Sequence, residues 1–431
     1  MQVWIRRFAL LLLPLGFLAV MVAAPLLSLA FYDGEGAWAE VVADDYMRLR
    51  LGWTVAQAVL TCVLVTALGV PAAWVLARMD FAGRRTVLRL LMLPFVMPTL
   101  VAGMGVLALF GAHGMLAAGW QDTPWLLIYG NVFFNLPVLV RSAYQGFVRV
   151  PQARLLSAQS LGADTWRRFV WVEWPVVRAW VAGGACLVFL YCFSGFGLAL
   201  LLGGERFATV EVEIYRLVAY ELDMARASVL VWLVLAVTAV AGGLYAYWSR
   251  RVTVDKSVSP LPPRAPIWAW EKWLTATVLA MLAVCCLLPL AAVWLKAVSA
   301  GSSWAVLLEA QTWAAVWNTV RFSAAAVAAA TVLGVLYAAA ARQMAWLRAL
   351  MFLPFMVSPV CIAFGVLLLY PQWTASLWLL TATYALLAYP FVAKDVLAAW
   401  DSLPKDYAAA TRTMGANGFQ TACYVTAPLL K

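Results

Sequence analysis

The sequence is poor in charge. Lysine, arginine, aspartate and glutamate together make up 12% of its 431 residues, against roughly 25% in soluble domains. That shortage excludes an ordinary water-soluble globular domain. Histidine occurs once, at His113, near the expected end of an apolar stretch, where a structural or solvated role outweighs catalysis. No G-x-x-x-x-G-K-S/T run is present, and none of the six lysines follows a glycine. The chain therefore has no loop to cradle ATP phosphates, and energy for any transport must come from a partner or an ion gradient. No acidic residue sits in the middle of an apolar stretch, so the mid-membrane relay of a gradient-driven transporter is missing. Six of the seven cysteines lie in apolar segments without metal-ligand spacing and read as small buried apolar residues. No catalytic residue, metal or cofactor is expected.

What the sequence has in abundance is apolar length: 65% of its residues are hydrophobic. Stretches long enough to cross a bilayer are predicted at 8–31, 53–77, 88–110, 125–140, 180–202, 229–248, 273–293, 316–341, 349–370 and 376–392. The fourth and tenth of these ten are short. The first is too long for the apolar core of a cleaved signal peptide and reads as an uncleaved helix. The expected fold is an all-α polytopic membrane protein.

The net charge of +10 is not a nucleic-acid footprint, because 23 of the 30 basic residues fall in alternate loops. The positive-inside rule puts those loops, and the N-terminus, in the cytoplasm. No nucleic-acid partner is expected; the lipid bilayer is.

A pattern of 25 residues occurs twice. Pro151, Gly162 and Pro175 recur as Pro404, Gly415 and Pro428, and Pro137 and Arg141 as Pro390 and Lys394, all at an offset of 253. Further upstream, Leu68-Gly69-Val70 matches Leu333-Gly334-Val335, and Leu93-Pro94-Phe95 matches Leu353-Pro354-Phe355. The chain is thus read as two tandem six-helix units of like orientation: residues 1–249, a Pro-rich charged linker at 250–272, and residues 273–431. After the repeated loop the first unit has two more spans and the second has none. The second unit is expected to be a truncated copy, with about ten membrane helices in all.

Each repeated loop predicts a short helix, a glycine in the left-handed region that ends it, and a second short helix. Trp166, Phe169, Val170, Val172 and Trp174 put apolar surface on a loop that should face water. Two such loops in one register call for a partner surface.

The register resembles the EAA loop of bacterial ABC importer permeases (type I, in a fused two-unit form). Its triplet falls at Leu156-Ser157-Ala158 and Ala409-Ala410-Thr411, its glycine at Gly162 and Gly415, its aliphatic at Val172 and Val425 and its proline at Pro175 and Pro428. The family's glutamate is absent from both copies, and Trp174 and Ala427 replace its leucine before proline. Residues 125–230, with VFFNLP, VEWP and ATVEVEIY, are similar to permeases of thiamine importers. Fused permeases for ferric iron are the nearest alternative, and a secondary transporter or membrane enzyme is a more distant one.

The resemblance implies a transporter subunit of the bacterial inner membrane. Two copies of an ABC ATPase subunit would bind it, one at each loop, and a periplasmic substrate-binding protein would deliver thiamine or its phosphate esters. Coupling to the ATPase would fall to Ser157, Ala158, Gly162, Val172, Pro175, Ala409, Ala410, Gly415, Val425 and Pro428. Intramembrane polar residues are candidates for a substrate path by their cost alone: Gln57, Tyr129, Asn131, Asn135 and Asn318. An interhelical hydrogen bond is the equal alternative for Asn131 and Asn135, four residues apart on one helix face. The acidic and basic stretch 203–226 is either a docking segment for the binding protein or a solvated interfacial helix.

Overall fold

A computed structural model of the chain describes residues 12–30, 32, 36–116, 119–251, 259–351, 357–374, 376–402, 411, 413–415 and 420. Among them the only extended pairing is two isolated bridges; the rest of the regular structure is helical. This is what a chain in hydrocarbon must do, since only helices and closed barrels satisfy the backbone there. Eight helices among the described residues are long and apolar enough to cross a membrane. They are α1 (Leu12–Leu29), α3 (Asp45–Arg78), α7 (Pro124–Val148), α9 (Thr165–Phe193), α12 (Met224–Arg250), α13 (Ala269–Val298), α14 (Ala310–Arg342) and α17 (Leu377–Asp401). Shorter helices lie between them: α2 (Ala37–Ala43), α4 (Arg84–Leu90), α5 (Leu93–Val96), α6 (Thr99–Phe110), α8 (Gln152–Ser160), α10 (Phe196–Leu202), α11 (Val210–Arg216), α15 (Ala345–Leu350) and α16 (Pro359–Leu369).

Several elements differ from the lengths expected from sequence, among them the fifth stretch, which breaks at Ser194–Gly195 between α9 and α10. The third stretch is not one helix but α4, α5 and α6. Met97, held extended (ψ 143°) ahead of Pro98, makes the last break, because a residue before proline is pushed out of the helical region. The ninth is likewise divided: α16 begins after Ser358 (ψ 133°), whose hydroxyl accepts from the Val360 and Cys361 amides. The fourth and tenth are not short. Polar residues such as Arg141 and Lys394, which end the apolar run, continue the helices toward the repeated loops, so that α7 has 25 residues and α17 the same.

The packing is sequence-encoded at glycines. A methyl group built on Gly69 of α3 would stand 2.9 Å from the Leu139 side chain of α7, and one on Gly334 of α14 would stand 2.7 Å from Val392 of α17. These are equivalent positions of the two repeats, so the same close helix pair is built twice. Small residues allow such approach where no hydrophobic drive acts between helices.

By packing, the chain forms two units, one of Asp33–Ser302 and the other of Met1–Tyr32 with Ser303–Lys431. Each therefore combines the first span of one repeat with the later helices of the other. In the first, Gly105 of α6 meets Pro289 of α13, with a built methyl 2.7 Å from the Pro289 carbonyl oxygen; in the second, Gly365 of α16 meets Pro25 of α1, with a built methyl 2.5 Å from its carbonyl oxygen. In both, a helix backbone lies directly on the glycine.

Gly105→Val and Gly365→Val should each lower the thermal unfolding midpoint of the detergent-solubilised protein, by the equivalent of about 1–3 kcal/mol for overpacking. Gly52→Val, with no atom within 4 Å of the added carbon, should leave the midpoint nearly unchanged.

Candidate functional site: the repeated loop and its anchor

The first repeated loop begins where α7 ends. Pro151 enters extended and starts α8, a helix of nine residues in which only Leu155 is buried. Gly162 follows at φ 81°, and the Gly162 and Ala163 amides donate back to the Gln159 and Ala158 carbonyls at 3.0 Å each. That left-handed turn is what the glycine was expected to supply. Asp164 then caps the next helix, accepting from the Arg167 amide at 2.7 Å.

The second helix of the loop is not a separate short element. It runs unbroken from Thr165 to Phe193 as α9. A π-helical turn at Phe169–Glu173 precedes Trp174 and Pro175. Proline clashes with the carbonyl four residues back, here that of Trp171, and the wider turn accommodates it. The loop is thereby continuous with a membrane span.

Its aromatics divide into two sets. Phe169 stacks between Phe147 (6.2 Å) and Trp166 (5.8 Å) and lies 6.1 Å from Trp174. Trp166 and Trp171 remain 71% and 77% exposed, as do Ser157 and Gly162 themselves, whereas Ala158 and Val172 are half-buried.

Sequence reasoning missed the anchor beneath the loop. Glu173 is buried at 3% exposure at the end of the π-helical turn. Its carboxylate accepts from Arg78 Nε at 2.7 Å and from Trp74 Nε1 at 2.9 Å. Arg78 Nη2 donates to the Phe147 carbonyl at 3.1 Å. One ion pair thus ties together the ends of α3, α7 and α9. The only signal for it was the acid of VEWP beside an arginine ending the second span. The second repeat has Gln343 and Thr426 at these positions.

The described part of the linker is not a free tether. The Asp80 amide donates to the Arg264 carbonyl (2.7 Å), Arg264 donates back to Arg78 (3.0 Å), and the Gln152 amide donates to Ser259 (3.1 Å). Glu271, buried at the start of α13, accepts from the Arg264 guanidinium at 2.5 and 3.1 Å and from the Ile267 and Trp268 amides at 2.9 and 3.2 Å. The linker is strapped along the loop-bearing end of this unit.

In the second loop Gly415 has φ 83°, matching Gly162, and is exposed. Ala409, Ala410, Val425 and Pro428 lie outside the described residues. Above that loop, Arg348 holds Asp401 in a two-pronged pair at 2.8 and 3.2 Å, exposed on both sides.

The intramembrane polar residues separate by environment. Gln57, Asn131 and Asn135 are all buried, at 3% exposure or less. Asn131 Nδ2 donates to Gln57 Oε1 at 2.8 Å, Gln57 Nε2 donates to the Cys192 carbonyl at 2.9 Å, and Asn135 Nδ2 donates to the Asn131 carbonyl at 2.9 Å. Together they join α3, α7 and α9. Tyr129 donates to the Val284 carbonyl of α13 at 2.8 Å and abuts Phe110 at 4.9 Å in an edge contact. Asn318 is exposed on α14, in the other unit. His113 is exposed beyond the end of α6.

The stretch 203–226 is folded onto its own unit. Arg50 donates to the Arg206 and Glu205 carbonyls at 2.7 and 2.6 Å, and the buried Glu213 accepts from Tyr46 at 3.0 Å and pairs with Arg216 at 2.8 Å.

The segment that carries this loop is similar to known proteins. Residues 66–254, which include α9 and its loop, match the family model for the binding-protein-dependent transport system inner membrane component. Thiamine transport system permease proteins of Salmonella typhimurium and Escherichia coli are each 32% identical to it over 72% of this chain. The Brucella abortus protein of the same description is 35% identical over 52%. The chain spans 58% and 60% of the length of the Salmonella and Escherichia relatives. In fold it is similar to a bacterial ABC transporter involved in alginate import, at a TM-score of 0.50 and 16% identity over 59% of this chain and all of that one.

Glu173→Ala should destabilise the protein by about 3–5 kcal/mol, the penalty for leaving a buried charge such as Arg78 unpaired. An Arg78→Met, Glu173→Leu double variant should recover most of it. Arg348→Met, which breaks an exposed pair, should cost under about 1 kcal/mol. Denaturation in detergent measures all three.

Proposed function

We propose that this chain is the membrane-spanning subunit of a binding-protein-dependent ABC importer, and that it moves thiamine or its phosphate esters inward across the bacterial inner membrane. The observation that carries the proposal is the first repeated loop: an exposed helix, a left-handed glycine and two exposed tryptophans, built in one piece with a membrane span. Such a loop delivers a push or pull from a bound ATPase to the span without slack. The second loop, with its glycine in the same conformation, supports a second copy of the ATPase on the same chain. The basic loops put both in the cytoplasm, with the N-terminus on the same side. ATP hydrolysis belongs to the partner, and a periplasmic substrate-binding protein presents the ligand at the opposite face. The thiamine permeases among the relatives support the substrate.

Coupling falls to Ser157, Ala158, Gly162, Val172 and Pro175, and to Ala409, Ala410, Gly415, Val425 and Pro428 in the second loop. Among the candidates for the substrate path, the enclosed set of Gln57, Asn131 and Asn135 favours holding α3, α7 and α9 together. Tyr129, half-buried beside α13, and Asn318 stay as path candidates. Asn131→Leu should then cost about 1–3 kcal/mol in stability, since Gln57 Oε1 loses its donor, with the apparent KM for uptake unchanged. A raised KM at normal stability would move this residue back into the path.

Gly162→Val should sharply reduce co-purification of the ATPase while leaving membrane insertion intact, because a β-branched residue resists φ 81°. Uptake of labelled thiamine into vesicles should be blocked by vanadate and survive collapse of the proton gradient at constant ATP. Loss of uptake on adding an uncoupler would refute the ABC assignment.

A further inference from the structure

Two cavities adjoin at the loop-bearing end of the Asp33–Ser302 unit. One is an apolar crevice of about 370 Å³ formed by Pro71, Trp74, Trp166, Phe169, Trp270 and Leu274. The other is a polar groove of about 530 Å³ reaching Arg78, Arg168, Glu173, Arg264 and Glu271. Trp74 and Thr165 line both. Trp74 divides its side chain between them. Its indole N–H is given to Glu173 in the groove, and its ring stacks on Trp270 at 6.3 Å in the crevice.

The groove carries surplus positive charge. Arg78 and Arg264 are matched by Glu173 and Glu271. Among the described residues Arg168 has only neutral side-chain partners, Gln159 Oε1 at 3.3 Å and Thr165 Oγ1 at 3.2 Å. Arg78, 6% exposed, has its Nη1 buried without a hydrogen-bond partner.

The exposed tryptophans of this site argue for an interfacial depth. Trp166, Trp268 and Trp270, which line it, are 46–71% exposed, and exposed tryptophans gather where headgroups meet hydrocarbon. An apolar slot and an arginine-lined groove sharing one wall at that depth match an acyl chain joined to an anionic headgroup. Basic pockets between membrane helices on the cytoplasmic side take such headgroups.

We propose that the crevice and groove are a binding site for an anionic phospholipid, with an acyl chain between Trp74, Trp166 and Trp270 and the phosphate beside Arg168. The site lies against the coupling loop, so its occupant would bear on the start of α9. Only the choice of leaflet rests on the cytoplasmic orientation proposed above.

The test is native mass spectrometry of the purified full chain titrated with phosphatidylglycerol and with phosphatidylcholine of the same acyl chains. A tightest phosphatidylglycerol adduct is expected, at higher affinity than for phosphatidylcholine. Arg168→Gln should weaken it about fivefold, as expected for one basic residue near the headgroup, and Leu274→Trp, which fills the crevice, should remove it. Arg154→Gln, on an exposed residue of α8, should leave it unchanged. Displacement of the adduct by glycerophosphoglycerol alone would show a headgroup site without the acyl slot and overturn the proposal. So would equal affinity for the two lipids, or a phosphatidylglycerol preference intact in Arg168→Gln.

Discussion

The buried pair between Arg78 and Glu173 is the contact on which the geometry of the first repeated loop depends. Withdrawing two charges from water costs several kcal/mol each, and only good geometry with further hydrogen bonds offsets it. Trp74 and the Phe147 carbonyl supply those bonds. The pair therefore has one low-energy arrangement, and that arrangement fixes the ends of three spans relative to the loop. Because α9 continues through its π-helical turn into the membrane, a displacement at α8 is carried to the span and not absorbed in a flexible joint.

The two repeats share packing and differ in anchoring. Gly69 against Leu139 and Gly334 against Val392 are the same contact built twice. The first repeat then buries its charge pair, whereas the second carries Gln343 and Thr426 at those places and uses an exposed Arg348–Asp401 pair instead. The linker adds a second asymmetry. Its strap along Arg78 and Gln152 belongs to the first loop. A doubled chain can thus give its two repeated loops unequal supports, which two identical subunits cannot do.

Much of the fold was legible in the sequence for simple reasons. Apolar length locates spans, and the recurrence of one Pro-Gly-Pro register points to the doubling. The positions of Gly162 and Gly415 predicted left-handed turns that both residues adopt. What failed were boundaries. Apolar content is blind to helices that continue past the hydrocarbon, as α7 and α17 do, and to proline breaks within an apolar run, as at Met97-Pro98. In the site, a buried charge reads as a loop charge until its partner, 95 residues away, is brought beside it.

The sequence by itself determined that this is an all-helical membrane protein with two matched loops, because composition and a repeated register are local properties of the chain. Tertiary structure alone decided which helices share a unit, which polar residues satisfy one another, and that Glu173 and the linker brace the first loop. Those depend on side chains from distant positions meeting at one place. The first spans are exchanged between repeats because Pro25 and Pro289 lie against the glycine faces of Gly365 and Gly105, a complementarity of surfaces that no periodicity in the sequence records.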